Sequence, residues 1–284
     1  MTSTILSNFG DPTAFAAALN DIGNIAIVTR APAPFRAKLT HIVLPKLSLL
    51  AAEENQARIA FICPTAGRIV IMLPSDTGDQ AMWNGAPIPQ HEMLTIGAGA
   101  RPHWCTRGAA RWIAVCLSAE ALAMSGQVLT GKAFRVPQGL RHWFPSRRTL
   151  RPLMDLCRAA VKLTEQHPAL PLDAGASRGL EQELLEMLVE CLETGRPEPD
   201  PPLRQQEAAL LERLEDLLRD PARQDASPAD LFAALGASEP GLRACFRAHL
   251  GIGPRMYIQL WRARSRPEAA PVDGNLGKFT PQRV

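Results

Sequence analysis

Arg243 and Arg247 are four residues apart, a spacing that puts both on one side of any helix that carries them. Glu239 and Ala244 fall on the same outer face, and Ser238 stands just ahead of it as a helix N-cap. A guanidinium on such a face reaches phosphate oxygens or pairs bidentately with guanine. Ser238, Glu239, Arg243, Ala244 and Arg247 are therefore the candidate DNA-contacting residues. The neighbourhood is locally basic: Arg243, Arg247, Arg255, Arg262, Arg264 and Arg266 lie between Gly241 and Arg266 with no Asp or Glu among them. An αα-hairpin with solvated arginines fits the helix pattern equally well.

Other chemistry finds fewer residues to work with. His91, Glu92 and His103 are the nearest metal-ligand candidates, but no HxH pair precedes a suitably spaced Glu, so no metal and no other cofactor is expected. No GxSxG, P-loop or dinucleotide-binding glycine pattern is present, so no catalytic residue is assigned and the chain is read as a non-enzyme. Trp83, Trp104 and Trp112, with His41 nearby in the β-rich region, either line a ligand pocket or fill a core. The six cysteines have no paired spacing and read as reduced, mostly buried residues.

The elements that must position these residues divide into two kinds. From Ile25 to about Leu117 the chain shows short apolar runs punctuated by Pro and Gly, the pattern of a β-barrel or sandwich. Phe35, Ala37, Leu39, His41 and Val43 alternate with Arg36, Lys38, Thr40 and Ile42, as a half-buried strand requires. The runs Arg58 to Cys63 and Arg68 to Leu73 flank a short turn and are expected to pair antiparallel, and Asn84 with Gly85 signals a type I′ hairpin. Strands are also expected at Met93 to Ile96 and Arg111 to Leu117, and a helix from the N-cap Ser118.

Beyond this the period changes to about 3.6. Leu150, Leu153, Met154, Leu156, Ala160 and Val161 form one helical stripe, and Leu180, Leu184, Leu185, Leu188, Val189 and Leu192 form another. The second is expected to end at Gly195 through a positive φ and to serve as a dimer interface, with Leu184 and Leu188 at its centre. The Pro-rich stretch Arg196 to Leu203 reads as a connector. After it, Leu210, Leu211, Leu214, Leu217 and Leu218 mark a helix. Ser227, Pro228 and Asp230 then form a capping box for a short helix stopped by Gly236, and Ser238 starts another that closes at Gly251. Two short helices around a tight Gly turn are the helix-turn-helix pattern.

Taken together, Asp230 and Leu231, Leu235 and Gly236, Ser238, Leu242, the run Cys245, Phe246 and Arg247, Leu250 and Gly251, Pro254 and Tyr257 resemble the first half of an AraC/XylS-family DNA-binding domain, over Ser227 to Arg262. The resemblance implies an α+β multidomain protein, with an N-terminal cupin-like β-barrel and following helices ahead of a C-terminal all-α helix-turn-helix domain. It implies a transcription regulator that binds DNA sequence-specifically as a homodimer and answers to an unknown small-molecule effector. The expected units are a sensor at 1–130, a helical dimerisation region at 131–195, a linker at 196–204, the helix-turn-helix domain at 205–266 and an irregular tail at 267–284.

The chain departs from the family pattern in three places. Phe232 stands where the helix crossing usually takes a small residue. Pro240 and Gly241 replace polar first-turn side chains. Pro267, Pro271, Gly274, Gly277 and Pro281 interrupt the stretch where a second helix-turn-helix would follow, as a truncation, a frameshift or divergence would each produce. A cupin-like small-molecule-binding protein or enzyme, or a degraded regulator that no longer binds DNA, are the competing readings.

Composition fits this picture without deciding it. The 284 residues are 46% hydrophobic and 21% charged, as in ordinary globular proteins, and the net charge of +3 is too small to imply a nucleic-acid partner. No apolar run approaches the roughly 18 to 20 residues that span a bilayer, and Met1 to Asn20 lacks the pattern of a secretory leader, so a cytoplasmic protein without a membrane partner is expected.

Overall fold

The computed structural model describes residues 2–29, 33–74, 81–89, 91–168, 173–199, 202–223 and 225–265. Its N-terminal part comprises β1 (Ser3–Phe9), α1 (Pro12–Ala18), β2 (Gly23–Thr29), β3 (Ala37–Val43), β4 (Leu47–Glu54), β5 (Arg58–Pro64), β6 (Arg68–Leu73), β7 (Ala81–Trp83), β8 (Ala86–Pro87), β9 (Met93–Ile96), β10 (His103–Thr106) and β11 (Ala110–Ser118). There follow α2 (Ala119–Thr130), β12 (Leu140–Phe144), α3 (Arg147–Gln166), α4 (Ala174–Thr194) and β13 (Arg196–Pro199). The C-terminal part is helical: α5 (Pro202–Arg219), a 3-10 turn at Pro221–Arg223, α6 (Pro228–Leu235), α7 (Glu239–Leu250) and α8 (Pro254–Ser265).

The strands form two antiparallel sheets, one in the order β1-β3-β4-β11-β6-β9-β12-β13 and one in the order β2-β5-β10-β7-β8. They do not close on each other, so the expected barrel is an open sandwich. One edge, β13, carries Pro197 and Pro199, which cannot donate to a further ladder, and another, β8, is two residues long. The expected β5–β6 hairpin is not formed either. β5 pairs with β2 and β10, whereas β6 pairs with β11 and β9, so the turn at Gly67 carries the chain from one sheet to the other. Asn84 (φ 45°) and Gly85 (φ 80°) do make the β7–β8 turn.

Both faces of both sheets are covered, which explains why most strands read as apolar runs with little alternation. In β5, Ala60 and Ile62 point into the sandwich while Ile59 and Phe61 point out toward the C-terminal helices. In β11, Trp112, Ala114 and Cys116 point in, while Val115 and Leu117 meet α2, α3 and α4. The layers run helices, sheet, sheet, helices, with an apolar cluster at each junction. β3, expected to be half-buried, follows the same rule: Leu39 lies inside the sandwich and Ile42 lies under the helices.

Three sequence expectations about α4 and its end meet a different geometry. Leu184 and Leu188 are 0% exposed within the cluster that joins α4 to the larger sheet, so both are committed to the chain's own core and neither faces a second subunit. Gly195 ends α4 with φ −73°, not a positive φ; glycine suits the position because a Cβ there would lie 2.5 Å from the Cys191 carbonyl oxygen. The stretch expected as a linker begins as β13, hydrogen-bonded to β12.

Candidate nucleic-acid interface

The helix-turn-helix is specified residue by residue. At the start of α6 the Ser227 hydroxyl accepts from the Asp230 N–H, and the Asp230 carboxylate accepts in return from the Ser227 N–H at 3.1 Å. Gly236 ends α6 in the left-handed region, with φ 65°. Two residues later Ser238 starts α7, its hydroxyl accepting from Gly241 N–H, so the hydroxyl of this candidate contact residue serves as a cap. Leu231, Phe232, Leu235, Leu242, Cys245, Phe246 and Leu250 close a core with Leu211, Leu214 and Leu218 of α5 and Tyr257, Ile258 and Trp261 of α8. The large Phe232 is accommodated in that core.

With this face buried, Pro240, Gly241, Arg243, Ala244, Arg247 and Ala248 form the exposed side of α7. Glu239 is drawn into a charge cluster: Arg243 Nη2 lies 3.2 Å from Glu239 Oε1, and Arg255 reaches the same carboxylate with Nε at 3.1 Å and Nη2 at 3.3 Å. Arg255, then Arg243, hold the Glu239 carboxyl below its ordinary range. In the sequence Arg255 stands out only as part of the basic stretch; its place in this cluster follows from the packing of α8 on α7. Arg262 is committed elsewhere, donating to the Ala226 carbonyl. The side chain of Arg264 lies outside the described residues, as do Arg266 and the tail from Pro267 to Val284.

The helical unit is docked on the outer face of the smaller sheet through Ala26, Ile59, Phe61, Met82 and Cys105. At the centre of the contact, His103 Nε2 on β10 lies 2.7 Å from Glu215 Oε1 on α5, and both side chains are 0% exposed. The Tyr257 hydroxyl donates to the same Glu215 oxygen, and Arg219 Nη2 stands 3.6 Å from the other. Arg219 also lies over the Phe61 ring, 4.7 Å from its centroid, and Arg101 pairs with Asp216. The α7 C-terminus meets the β7–β8 turn so closely that a Cβ on Gly85 would come within 2.7 Å of the Ala248 carbonyl oxygen. No single-residue signal in the sequence marks His103 and Glu215 as partners across 112 positions.

The remaining candidates are dispersed. Trp83, Trp104 and Trp112 come together in the sandwich around a buried ion pair. Arg58 donates twice to Glu54 at 2.8 Å, its guanidinium carbon lies 3.8 Å from the Trp104 ring centroid, and Trp112 Nε1 donates to Glu54 at 2.7 Å. His41 belongs to the other end of the same interior, 3.0 Å from Asp21 Oδ2, to which the Ser48 hydroxyl also donates. This is not a nucleophilic triad, because the hydroxyl proton faces the carboxylate and not the imidazole. Glu92 is bonded to His142 and His103 to Glu215, so His91, Glu92 and His103 are not brought together, and no group of three potential metal ligands stands together among the described residues. Burial pushes the Cys157 and Cys245 thiols up to about 12 and Cys191 to about 11, which keeps them protonated.

Fold and site together define a two-part α+β protein: an antiparallel sandwich with flanking helices, carrying a helix-turn-helix unit on its second sheet. Over 93% of its length the chain is similar to the crystal structure of the AraC-like transcriptional activator CuxR, at 14% identity and a TM-score of 0.48, covering 94% of that chain. It is also similar to the structure of ToxT from Vibrio cholerae, at 8% identity and a TM-score of 0.23, over 91% of this chain and 98% of that one. No protein-family model and no curated protein sequence matches the chain. Among the described residues no helix is long and apolar enough to cross a membrane.

Proposed function

We propose that the chain is a sequence-specific DNA-binding transcription regulator of the AraC/XylS type, cytoplasmic, with DNA as its macromolecular partner and a small-molecule effector as its signal. The observation that carries this reading is α7, whose apolar face is buried and whose opposite face presents Arg243, Ala244 and Arg247 between two capped ends. A helix so presented fits the major groove, where arginine reads guanine or holds phosphate. With one helix-turn-helix among the described residues, each chain is expected to occupy one major groove.

Trp83, Trp104 and Trp112 are buried and packed on one another, with Arg58 over the Trp104 ring, so an effector is better placed in the cleft of about 280 Å³ between the units. Arg101, Arg141 and Glu212 line this cleft, and a polar molecule there would touch both parts of the chain. Because Leu184 and Leu188 are buried, homodimerisation would use other surfaces. The direct test is an electrophoretic mobility shift with the full chain and the duplex upstream of its own gene. A discrete shift that the Arg243→Ala/Arg247→Ala double variant abolishes is expected. Failure of the folded wild-type protein to shift that duplex or any member of a randomised pool would refute the reading.

A further inference from the structure

We propose that Arg255 is a third DNA-contacting arginine, and that Glu239, which binds both it and Arg243, is the residue that makes this surface selective. The inference rests on the DNA-binding reading of α7 and extends it to α8.

The geometry is the starting point. Arg255 meets Glu239 fork to fork, Nε on one carboxylate oxygen and Nη2 on the other, while Arg243 shares the first oxygen. Two guanidiniums thus share one carboxylate on the exposed surface, at the first turn of α7. The fold fixes the arrangement, because Arg255 enters from the start of α8, 16 residues away, and α8 is held on α7 by Tyr257 packed on Phe246.

Stability does not explain the cluster. Exposed ion pairs contribute roughly 0 to 1 kcal/mol, and α7 and α8 already share the apolar core of Leu242, Phe246, Leu250, Tyr257 and Trp261. Recognition does. The first residues of a helix lying in the major groove face base edges, and a carboxylate there accepts from the N4 amino group of cytosine. An arginine bound to that carboxylate is partly neutralised toward a phosphate backbone of any sequence. When the carboxylate accepts a hydrogen bond from a cytosine amino group instead, Arg255 and Arg243 are released to phosphates or to a neighbouring guanine. Glu239 therefore weakens unselective binding and rewards one base pair, and Arg255 adds a phosphate contact at the edge of the helix.

The test uses full-length protein, a duplex selected by the wild type from a randomised pool, and a mixed-sequence duplex, with affinities measured by fluorescence anisotropy over a range of salt. Arg255→Ala should weaken binding to the selected duplex and there reduce the slope of log affinity against log salt by about 0.9, one phosphate's share, with a smaller effect on the mixed duplex, where Glu239 still holds the arginine. Glu239→Gln should tighten binding to the mixed duplex several-fold and relax the preference for one C·G pair in the selected site. An unchanged salt slope on the selected duplex in Arg255→Ala, or an unchanged ratio of selected to mixed affinity in Glu239→Gln, overturns the proposal. If Arg247→Ala weakens binding while Arg255→Ala matches wild type, DNA binding by α7 stands and the role of Arg255 falls. If the wild type selects no duplex, the DNA-binding reading fails first and takes the proposal with it.

Discussion

Asp21 shows how much a single side chain can hold at the residue scale. It lies between α1 and β2, and it accepts from His41 of β3 and Ser48 of β4 with Arg68 of β6 beside it. The His41 hydrogen bond, opposed by burial and reinforced by Ser48 and Arg68, lowers its carboxyl from 3.8 to about 2. A carboxylate more acidic in the folded than in the unfolded chain contributes stability that is fully present above the unfolded value and lost as pH falls through the folded one. The destabilisation caused by Asp21→Asn should therefore be complete near neutral pH and shrink between 3.8 and about 2. Urea midpoints across that range check it, and a difference between variant and wild type that stays constant down to pH 2 would contradict it.

At the element scale, the turns separate what the sequence announces from what only packing decides. Asn84 and Gly85 are readable as a hairpin turn because few residue pairs accept left-handed backbone at both positions, and the turn forms. The Ser227 and Asp230 capping box is readable for the same local reason. The fate of β5 and β6 was not, since a Gly-containing turn suits a hairpin and a crossing between sheets alike. Nor was the identity of α4, where an amphipathic stripe looks the same whether it buries Leu184 and Leu188 against a subunit or against the chain's own sheet. Within the candidate site, the outer face of α7 was legible from spacing, whereas the cluster at Glu239 needed a partner from α8.

Gly85 tests one such packing decision. Gly85→Ala meets both a left-handed φ and the Ala248 carbonyl, whereas Gly67→Ala, at φ 75°, meets open space. The left-handed backbone alone costs about 1 to 2 kcal/mol. Gly67→Ala should show that cost only, and Gly85→Ala should exceed it and accelerate amide hydrogen exchange at the α7 C-terminus. Equal costs with unchanged exchange would mean that the turn does not brace the helix.

At the scale of the whole molecule, the third apolar cluster joins the two parts by crossing from β5, β7 and β10 to α5, α6, α7 and α8. Shared core of this kind makes two parts unfold together, since neither can expose its side of the cluster alone. Phe61 is 2% exposed and lies under Arg219, so Phe61→Ser removes apolar contact and a cation–π partner at the junction. Calorimetry should show one transition for the wild type and two for the variant, with the helical part melting first. A single, merely lowered transition in the variant would show that docking does not depend on this face.

The indole geometry of the sandwich has an optical consequence. Trp83 and Trp104 are stacked with their planes 9° apart and their centroids 5.3 Å from each other, while Trp112 stands edge-on to Trp104 at 5.4 Å. Transition dipoles that close are coupled, so the three rings absorb as a unit and give a split circular-dichroism band that vanishes when the sandwich opens. Trp261, by contrast, lies in the helical part beside Arg219 and Tyr257. Of the five tryptophans, three thus form a coupled chromophore reporting the interior of the sandwich, Trp261 reports the seat of the helical unit, and Trp143 stands apart under the helices that cover the larger sheet.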